Sequence, residues 1–227
     1  MAGSRAAPAA GVRAAGSYNV AMRIVCLSDT HDLHDHVRVP DGDLLLHAGD
    51  ATMRGSLAQI EAFDQWLGRL PHAHKVVIAG NHDFAFERTP ARARAAIRNA
   101  IYLQDEEVAV GGLRIWGSPW QPWFHDWAFN LPRGPELAAK WALVPAGIDV
   151  LVTHGPPFDV LDTTSRGERV GCADLLAAVQ RLAPRLHVFG HIHEGYGTAV
   201  RGGTRFVNAS ICTERYNPVQ PPIVVDL

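Results

Sequence analysis

Short runs of apolar, mostly β-branched residues recur along the chain and are bounded by glycine, proline or polar residues. Continuous runs of about 4–8 such residues are typical of strands that are buried on both faces of a sheet. Five runs of this kind predict strands at residues 22–27, 43–47, 75–79, 148–153 and 186–189. Two further strands are predicted near the end of the chain, at residues 204–208 and 223–226.

Segments with apolar residues at three- and four-residue spacing lie between the strands and predict helices. The predicted helices cover residues 56–70, 91–100, 135–141 and 172–182. Ser56 and Gln59 have the spacing of a capping box. Thr89-Pro90 predicts an N-cap followed by proline at the first helical position.

A Gly111-Gly112 pair separates apolar residues 108–110 from residues 113–116 and predicts a hairpin. Strands that alternate with helices, with hairpins mixed in later, indicate an α/β protein with layered sheets. The chain has 227 residues and no glycine- or serine-rich linker that would divide it. We therefore expect residues 20–227 to form one domain and residues 1–19, rich in alanine, glycine, arginine and serine, to form a disordered tail.

Composition argues against several classes of protein. A net charge of -2 and a pI of about 6.6 give no strong field to attract duplex nucleic acid or an anionic membrane. No stretch approaches the roughly 18 apolar residues of a membrane helix. Cys26, Cys172 and Cys212 are far apart, which indicates core thiols in a reducing compartment and predicts a cytoplasmic protein.

Five short polar motifs follow directly after predicted strands. They are Ser28-Asp29-Thr30-His31, Ala48-Gly49-Asp50, Gly80-Asn81-His82-Asp83, Thr153-His154-Gly155-Pro156-Pro157 and Gly190-His191-Ile192-His193. Open α/β folds place ligands at the carboxyl ends of their strands, so we expect the motifs to converge at that edge. Seven of their side chains are candidate metal ligands: Asp29, His31, Asp50, Asn81, His154, His191 and His193.

Carboxylates and imidazoles with one amide oxygen suit Mn, Fe, Zn or Mg, and the sequence does not decide among these ions. Asp29 and His31 are two residues apart, so an extended backbone would direct both side chains to one ion. Asp50 is placed to bridge two ions with its two carboxylate oxygens. His193 would complete the first ion, and Asn81, His154 and His191 the second.

Two ions about 3.5–4 Å apart can hold a hydroxide between them and clamp the oxygens of a phosphoryl group. The motifs therefore predict a hydrolase in which a metal-bridging hydroxide attacks a phosphate ester in line with the leaving alkoxide. His82 follows Asn81, and we expect it to donate a proton or a charged hydrogen bond to the leaving oxygen. Asp83 is predicted to orient or charge His82.

As they stand in this chain, the five motifs resemble those of the calcineurin-like metallophosphoesterase superfamily. The resemblance implies a four-layer α/β/β/α sandwich of two mixed sheets flanked by helices, with a dinuclear centre at the carboxyl edge of the strands. It also implies that His82 is catalytic. It assigns Asp29, His31, Asp50 and His193 to one metal and Asp50, Asn81, His154 and His191 to the other.

A closer likeness covers residues 22–227 and is carried by segments 76–82, 117–120, 127–134 and 186–197. These segments look like the metallophosphoesterase-domain-containing family, whose members are associated with hydrolysis of 2′,3′- and 3′,5′-cyclic nucleotides. The chain departs from the pattern in two places. No second aspartate follows Gly49-Asp50, and Asp83 stands where glutamate is frequent. Neither departure removes a predicted ligand.

Aromatic residues crowd the segment 116–129, and Asn130 and Arg133 follow it. One interpretation is a wall on which a nucleobase stacks, with Trp123 or Phe124 in contact with the base. The other is a loop that anchors itself by burying aromatic side chains. The sequence leaves both open, and Trp123, Phe124, Asn130 and Arg133 are the predicted substrate-binding residues.

Three functions are compatible with these motifs. A phosphodiesterase acting on a small phosphodiester or nucleotide is favoured, because the ligand set is complete and the domain is compact. A phosphomonoesterase or protein phosphatase could use the same centre, although few basic side chains that would hold a dianion lie near the motifs. A non-catalytic interaction module would have a degraded ligand set, which this chain does not show. The oligomeric state stays open.

Overall fold

The structure is a computed structural model that describes residues 21–227. The predicted tail, residues 1–19, lies outside the described residues. In chain order the strands are β1 (Arg23–Leu27), β2 (Leu44–His47), β3 (His74–Val77), β4 (Ile101–Tyr102), β5 (Glu106–Val110), β6 (Leu113–Ser118), β7 (Gln121–Pro122), β8 (Asn130–Leu131), β9 (Val150–Thr153), β10 (Leu186–Phe189), β11 (Gly197–Arg201), β12 (Thr204–Asn208) and β13 (Ile223–Asp226). The helices are α1 (Leu57–Arg69), α2 (Ala85–Arg88), α3 (Pro90–Ala96), α4 (Pro135–Ala142) and α5 (Ala173–Leu182).

Two large mixed sheets organise the domain. The first has the strand order β13-β1-β2-β3-β4, and the second has the order β11-β12-β10-β9-β6-β5. Strands β1 to β4 are parallel, as are β6, β9, β10 and β12, whereas β13, β11 and β5 pair antiparallel at the edges. The parallel strands of each sheet therefore direct their carboxyl ends to one edge.

The main core lies between the two sheets. Ile24 and Leu46 from the first sheet belong to the same buried cluster as Val152 and Val188 from the second, and all four are fully buried. Burial of this apolar surface stabilises the stacking of the sheets. Two of the four layers are therefore these sheets, packed face to face.

Helices cover the outer face of each sheet. Leu45 of β2 packs in a second buried cluster with Ile60 of α1. Leu151 of β9 packs in a third cluster with Leu137 of α4 and Leu175 of α5. These layers confirm the predicted α/β/β/α sandwich. No helix within residues 21–227 is long and apolar enough to cross a bilayer.

The signals at the start of α1 are confirmed. Ser56 N donates to Gln59 Oε1 at 3.0 Å, and Gln59 N donates to Ser56 Oγ at 3.3 Å. The reciprocal bonds form the predicted capping box and satisfy two backbone donors that the helix itself leaves free. The predicted hairpin also forms, since β5 and β6 pair on either side of the two glycines.

Two expectations for α3 are wrong. The helix ends at Ala96 instead of residue 100, because the Asp64 carboxylate of α1 accepts hydrogen bonds from Arg98 N at 2.7 Å and Asn99 N at 2.8 Å. Thr89 does not cap the helix with its side chain, since its hydroxyl donates to the carbonyl of Ala85 at 3.2 Å. In both places a contact outside the helix overrides the local signal.

His187 on β10 is fully buried. Thr153 Oγ1 donates to Gly155 O at 2.8 Å, so His187 Nε2 donates its proton to Thr153 Oγ1, also at 2.8 Å. Among residues 21–227, Nδ1 of this histidine has no hydrogen-bond partner. Burial lowers the pKa of His187 to about 3, because a proton on Nδ1 would place an unpaired charge in the core.

We expect His187 to make the free energy of unfolding depend on pH. Its pKa in the unfolded chain is about 6.5, so its stabilising contribution is complete above that pH and is lost as pH falls towards the folded value of about 3. Between about pH 7.5 and 5.5 the loss is about 1.4 kcal/mol. Urea unfolding of wild type and His187→Gln in EDTA measures it, because glutamine does not titrate.

The exposed His74 provides the control. We expect His187→Gln to show a shallower pH dependence than both wild type and His74→Gln. Identical slopes in wild type and His187→Gln would contradict a neutral, buried imidazole at this position.

Candidate metal centre

The predicted motifs lie at the carboxyl ends of five parallel strands. Asp29 follows β1, Asp50 follows β2, Asn81 follows β3, His154 follows β9 and His191 follows β10. The first three strands belong to one sheet and the last two to the other. The loops therefore meet across the edge where the two sheets adjoin.

Backbone geometry holds these loops close together. The φ angle is positive at Asp29, His31, Asp50 and His191, with values from 44° to 68°. The left-handed conformation costs roughly 1–2 kcal/mol for each residue with a Cβ, so the surrounding structure must hold it in place. At Gly190 a Cβ would collide with the carboxylate of Asp29, so only glycine fits there.

Asp29, His31 and His193 form the first group of candidate ligands, with donor atoms within 4.8 Å of one another. His193 Nε2 lies 3.3 Å from Asp29 Oδ1 and 3.4 Å from His31 Nε2. His193 Nδ1 donates to the carbonyl of Thr213 at 2.9 Å. The neutral imidazole therefore presents the lone pair of Nε2 to the site.

Asp50, Asn81 and His154 form a second group. His154 Nδ1 donates to the carbonyl of Ala48 at 3.0 Å, so the neutral ring has only a lone pair at Nε2. That nitrogen lies 2.8 Å from Asn81 Oδ1 and 3.4 Å from Asp50 Oδ2. Three acceptors at these distances require a proton or a cation among them.

Asp50 lies between the two groups. It belongs to one set of close donor atoms with His31 and His82, and to another with Asp29 and His154. Its Oδ2 is 3.8 Å from His31 Nε2, and its Oδ1 accepts a hydrogen bond from His82 N at 2.8 Å. Its Oδ2 therefore faces an imidazole of each group, His31 and His154.

The charges of the centre fit divalent cations. Burial opposes protonation of His154 and His193, but the carboxylates of Asp50 and Asp29 respectively outweigh it and raise the pKa of each imidazole to about 9. Burial alone would raise the pKa of Asp29, yet the neighbouring imidazoles hold it well below its usual range. The carboxylates thus draw protons onto the imidazoles, and a divalent cation supplies the same positive charge directly.

His191 lies at the side of the second group. Its ring centroid is 5.0 Å from that of His154 and 6.5 Å from that of Phe124. Its backbone N donates to Asp29 Oδ2 at 3.0 Å. Burial, with help from His154, lowers the pKa of His191 to about 3, so the ring is neutral and able to act as a ligand.

His82 is oriented by the backbone. Its Nδ1 donates to the carbonyl of Met53 at 3.0 Å, and its Nε2 lies 3.9 Å from Asp50 Oδ2. Trp127 stacks on the ring with centroids 4.1 Å apart, and His31 meets it edge-on at 4.7 Å. Nε2 is therefore held at the centre with no hydrogen bond to another described residue.

Asp83 joins two loops and does not orient His82 as predicted. Its carboxylate accepts hydrogen bonds from Thr52 Oγ1 at 2.7 Å, Gly80 N at 2.8 Å and Ala51 N at 3.2 Å. These bonds fasten the loop after β2 to the loop after β3, while Met53 orients the imidazole that Asp83 was expected to orient. Burial, and then the charge of Asp50, raise the pKa of Asp83 to about 6.

Ser210 and Asn208 support the centre, and neither residue was predicted from the sequence. Ser210 Oγ lies 2.8 Å from Asp29 Oδ2 and 2.9 Å from Asn208 Oδ1. Asn208 Nδ2 donates to the carbonyl of Ile192 at 2.8 Å. Ser210 and Asn208 are both fully buried. They connect Asp29 to the loop after β10. The available signal was their position at the end of β12, the same position relative to a strand as the ligands.

A cavity of about 490 Å³ adjoins the centre beside His191. Trp123 and Phe124 line it and are 61% and 53% exposed. Its volume is in the range of small-molecule sites. Other aromatic residues of this segment are packed instead: Trp116 is buried, and Trp120 donates to Asp105 Oδ2 at 2.9 Å. The segment therefore contains aromatic residues that are packed as well as exposed ones that line the cavity.

Asn130 and Arg133 hold the walls of this cavity together. Asn130 Oδ1 accepts a hydrogen bond from Phe124 N at 3.2 Å. The Arg133 guanidinium donates to the carbonyls of Val170 and Gly171, each at 2.7 Å. Their polar groups are used by the backbone, so they position the cavity walls.

The profile of the family described as calcineurin-like phosphoesterase matches residues 22–195, a range that contains all seven predicted ligands. The chain belongs to the calcineurin-like phosphoesterase family. Membership makes it a metal-dependent phosphoric ester hydrolase. Hydrolases of this family typically use divalent metals, and the Asp and His groups of this chain can hold such an ion.

Relatives of known sequence extend this assignment over the chain. Metallophosphoesterase domain-containing protein 1 of Homo sapiens is 50% identical over 230 residues, covering 90% of this chain and 71% of that protein. A UPF0046 protein of Caenorhabditis elegans is 40% identical and covers 91% of this chain and 60% of its own length. The predicted family resemblance is confirmed.

A solved structure supports the fold. The protein TT1561 of Thermus thermophilus superposes with a TM-score of 0.57 at 14% identity. The match covers 91% of this chain and 99% of that one. At this level of identity the likeness shows a shared fold and nothing about the substrate.

Proposed function

We propose that this hydrolase cleaves phosphodiester bonds of small substrates, in particular cyclic nucleotides, with two divalent ions, of which manganese is our first candidate. The proposal rests on the position of Asp50, which lies between two groups of buried ligands and beside the cavity that Trp123 and Phe124 line. One ion would be held by Asp29, His31, Asp50 and His193. The other would be held by Asp50, Asn81, His154 and His191.

The side chains around the centre have separate roles in the proposed reaction. When bound, divalent ions polarise phosphoryl oxygens and make water a competent nucleophile at neutral pH. The imidazolium form of His82 donates a proton to the leaving oxygen from Nε2, because its Nδ1–H is already bonded to the carbonyl of Met53. Trp127 stacks on the imidazole and fixes its plane. Burial of Asp29 and Asp50 keeps bulk water from screening these charges.

The cavity favours a nucleotide diester over a phosphomonoester. Trp123 and Phe124 offer exposed aromatic faces on which a base can stack. A monoester dianion needs more cationic contacts than a diester monoanion. Two arginines line this cavity, but Arg133 donates to backbone carbonyls, and Glu168 and Glu194 offset the charge of Arg166. The surroundings therefore suit a substrate with one negative charge and an aromatic substituent.

Reconstitution of metal-free protein with Mn²⁺ tests the proposal. Turnover of bis(p-nitrophenyl) phosphate, p-nitrophenyl phosphate and 2′,3′-cyclic AMP should show a preference for the diesters that disappears in EDTA. A preference for the monoester would support a phosphomonoesterase instead. Failure to hydrolyse any phosphoester with any divalent ion would support a non-catalytic module.

We expect Trp123→Ala and Phe124→Ala to weaken binding of the nucleotide selectively. Loss of a base-stacking contact worth about 1–3 kcal/mol should raise KM for the cyclic nucleotide by roughly 5- to 150-fold. KM for bis(p-nitrophenyl) phosphate should change much less. Leu143→Ala, which changes an exposed leucine directly after α4, is the control. Equal losses on both substrates would contradict base stacking.

We also propose a cytoplasmic location. Cys26, Cys172 and Cys212 are all free thiols and all buried. Unpaired, buried cysteines are usual where the environment is reducing.

A further inference from the structure

A loop formed by residues 213–217 follows β12 and is fixed to the metal centre. The carbonyl of Thr213 accepts hydrogen bonds from Tyr216 N at 2.8 Å and from His193 Nδ1 at 2.9 Å. Thr213 N donates to Asn217 O at 2.9 Å and closes the loop. One carbonyl therefore sets both the orientation of a candidate ligand and the path of the loop.

Tyr216 places its ring over three imidazoles. The ring centroid is 4.8 Å from that of His31, 5.7 Å from that of His193 and 6.2 Å from that of His82, and each pair meets edge-on. Its φ angle is 57°, a conformation that costs a tyrosine roughly 1–2 kcal/mol. The ring is 39% exposed, so core packing does not account for this strain.

The centre thus has two different sides. The cavity lies beside His191 and is lined by Phe124, whereas Tyr216 does not line it. On the other side, Trp127 and Tyr216 flank His82. A phosphate held at the centre would meet an open cavity on one side and aromatic rings on the other.

These sides make different demands on the substituents of a diester. When His82 protonates the leaving oxygen, the group attached to that oxygen lies beside His82, next to Tyr216. In a cyclic nucleotide both ester oxygens belong to one ribose, so the nucleoside on the leaving oxygen is the same one whose base reaches the cavity, and no second nucleoside needs space beside Tyr216. In a linear dinucleotide a second nucleoside extends from it and must occupy the space beside Tyr216.

We propose that Tyr216 determines specificity by excluding linear dinucleotides and admitting cyclic nucleotides. The inference rests on the proposed function and on the role of His82 within it. The ring acts through its volume, since its aromatic body covers the imidazoles. Removal of the ring should admit a second nucleoside, while removal of the hydroxyl alone should not.

The test compares kcat/KM for 2′,3′-cyclic AMP and the linear dinucleotide ApA in the Mn²⁺-loaded protein. Tyr216→Gly removes the ring and suits the left-handed backbone, so the loop should keep its path. We expect it to raise the ratio of linear to cyclic turnover by at least about tenfold, the scale on which a single pocket contact discriminates substrates. Tyr216→Phe should keep the wild-type ratio.

Arg215→Gly is the matched control, because it removes a side chain that is 83% exposed from the same loop. It should leave the ratio unchanged. A Tyr216→Gly variant with a lower ratio would show that the ring binds the second nucleoside, which overturns the proposal. So would loss of Mn²⁺ affinity in Tyr216→Gly by calorimetry, since the ring would then support the ligands.

The failure of this inference can be told apart from failure of the proposed function. A wild-type chain that hydrolyses no diester refutes both. An active diesterase whose ratio does not respond to Tyr216→Gly refutes only the inference about Tyr216.

Discussion

Asp50→Asn should abolish turnover and the binding of both metal ions. The substitution keeps the shape of the side chain and an oxygen that can accept the hydrogen bond from His82 N, now 2.8 Å long. It removes the charge that lies among His31, His154 and Asp29. We expect kcat to fall about 10³-fold or more, which corresponds to ~4 kcal/mol in the barrier. Titration of Mn²⁺ into metal-free protein should find two sites in wild type and neither in the variant.

Asp64→Asn is the matched control for removal of a buried carboxylate. Asp64 is 5% exposed, belongs to none of the five motifs and accepts hydrogen bonds from the backbone after α3. Its loss should lower the melting temperature while both ions still bind. If Asp50→Asn retained two ions and near-normal turnover, Asp50 would not be the bridge, and the ligands of the two ions would have to be reassigned.

The sheets could be predicted because their strands carry strong local signals. Strands such as β2 and β10 are buried throughout and apolar apart from one histidine each, and helices with capping signals separate them. Elements without such signals were missed. Strand β4 has two residues and exists only because Val76 and Val77 pair with it. The early end of α3 depends on Asp64, which is 34 residues away from Arg98 in the sequence.

The candidate ligands could be predicted for a related reason. Each follows a buried strand, and parallel strands bring their carboxyl ends together whatever lies between them in the chain. Ser210 also follows a strand, but its hydroxyl is not among the ligand types of the motifs. It contacts Asp29 across 181 positions of sequence, and Tyr216 reaches the centre from a loop that carries none of the five motifs. Such contacts arise from the packing of the two sheets.

His82→Asn should slow the reaction in a way that depends on the leaving group. Asparagine can still donate to the carbonyl of Met53, the partner of His82 Nδ1 at 3.0 Å, but it has no group in place of Nε2. Loss of a general acid typically costs 10²- to 10⁴-fold when the leaving group is an alkoxide. A p-nitrophenolate leaves without a proton. Turnover of 2′,3′-cyclic AMP should therefore fall by about 10² or more, and that of bis(p-nitrophenyl) phosphate far less.

The same variant decides between two roles that the geometry of His82 allows. Its donor atom lies within 4.8 Å of those of His31 and Asp50, so His82 could instead be a ligand. If His82 is a metal ligand, its replacement should reduce Mn²⁺ binding and slow turnover of both substrates equally. If it is a proton donor, both ions should stay bound. His72→Gln, which alters a buried histidine bonded to the carbonyl of Pro40, controls for loss of a buried imidazole. If His82→Asn keeps both ions but loses turnover of 2′,3′-cyclic AMP selectively, His82 donates a proton from Nε2 and is not a metal ligand. Only proton transfer depends on the basicity of the departing oxygen.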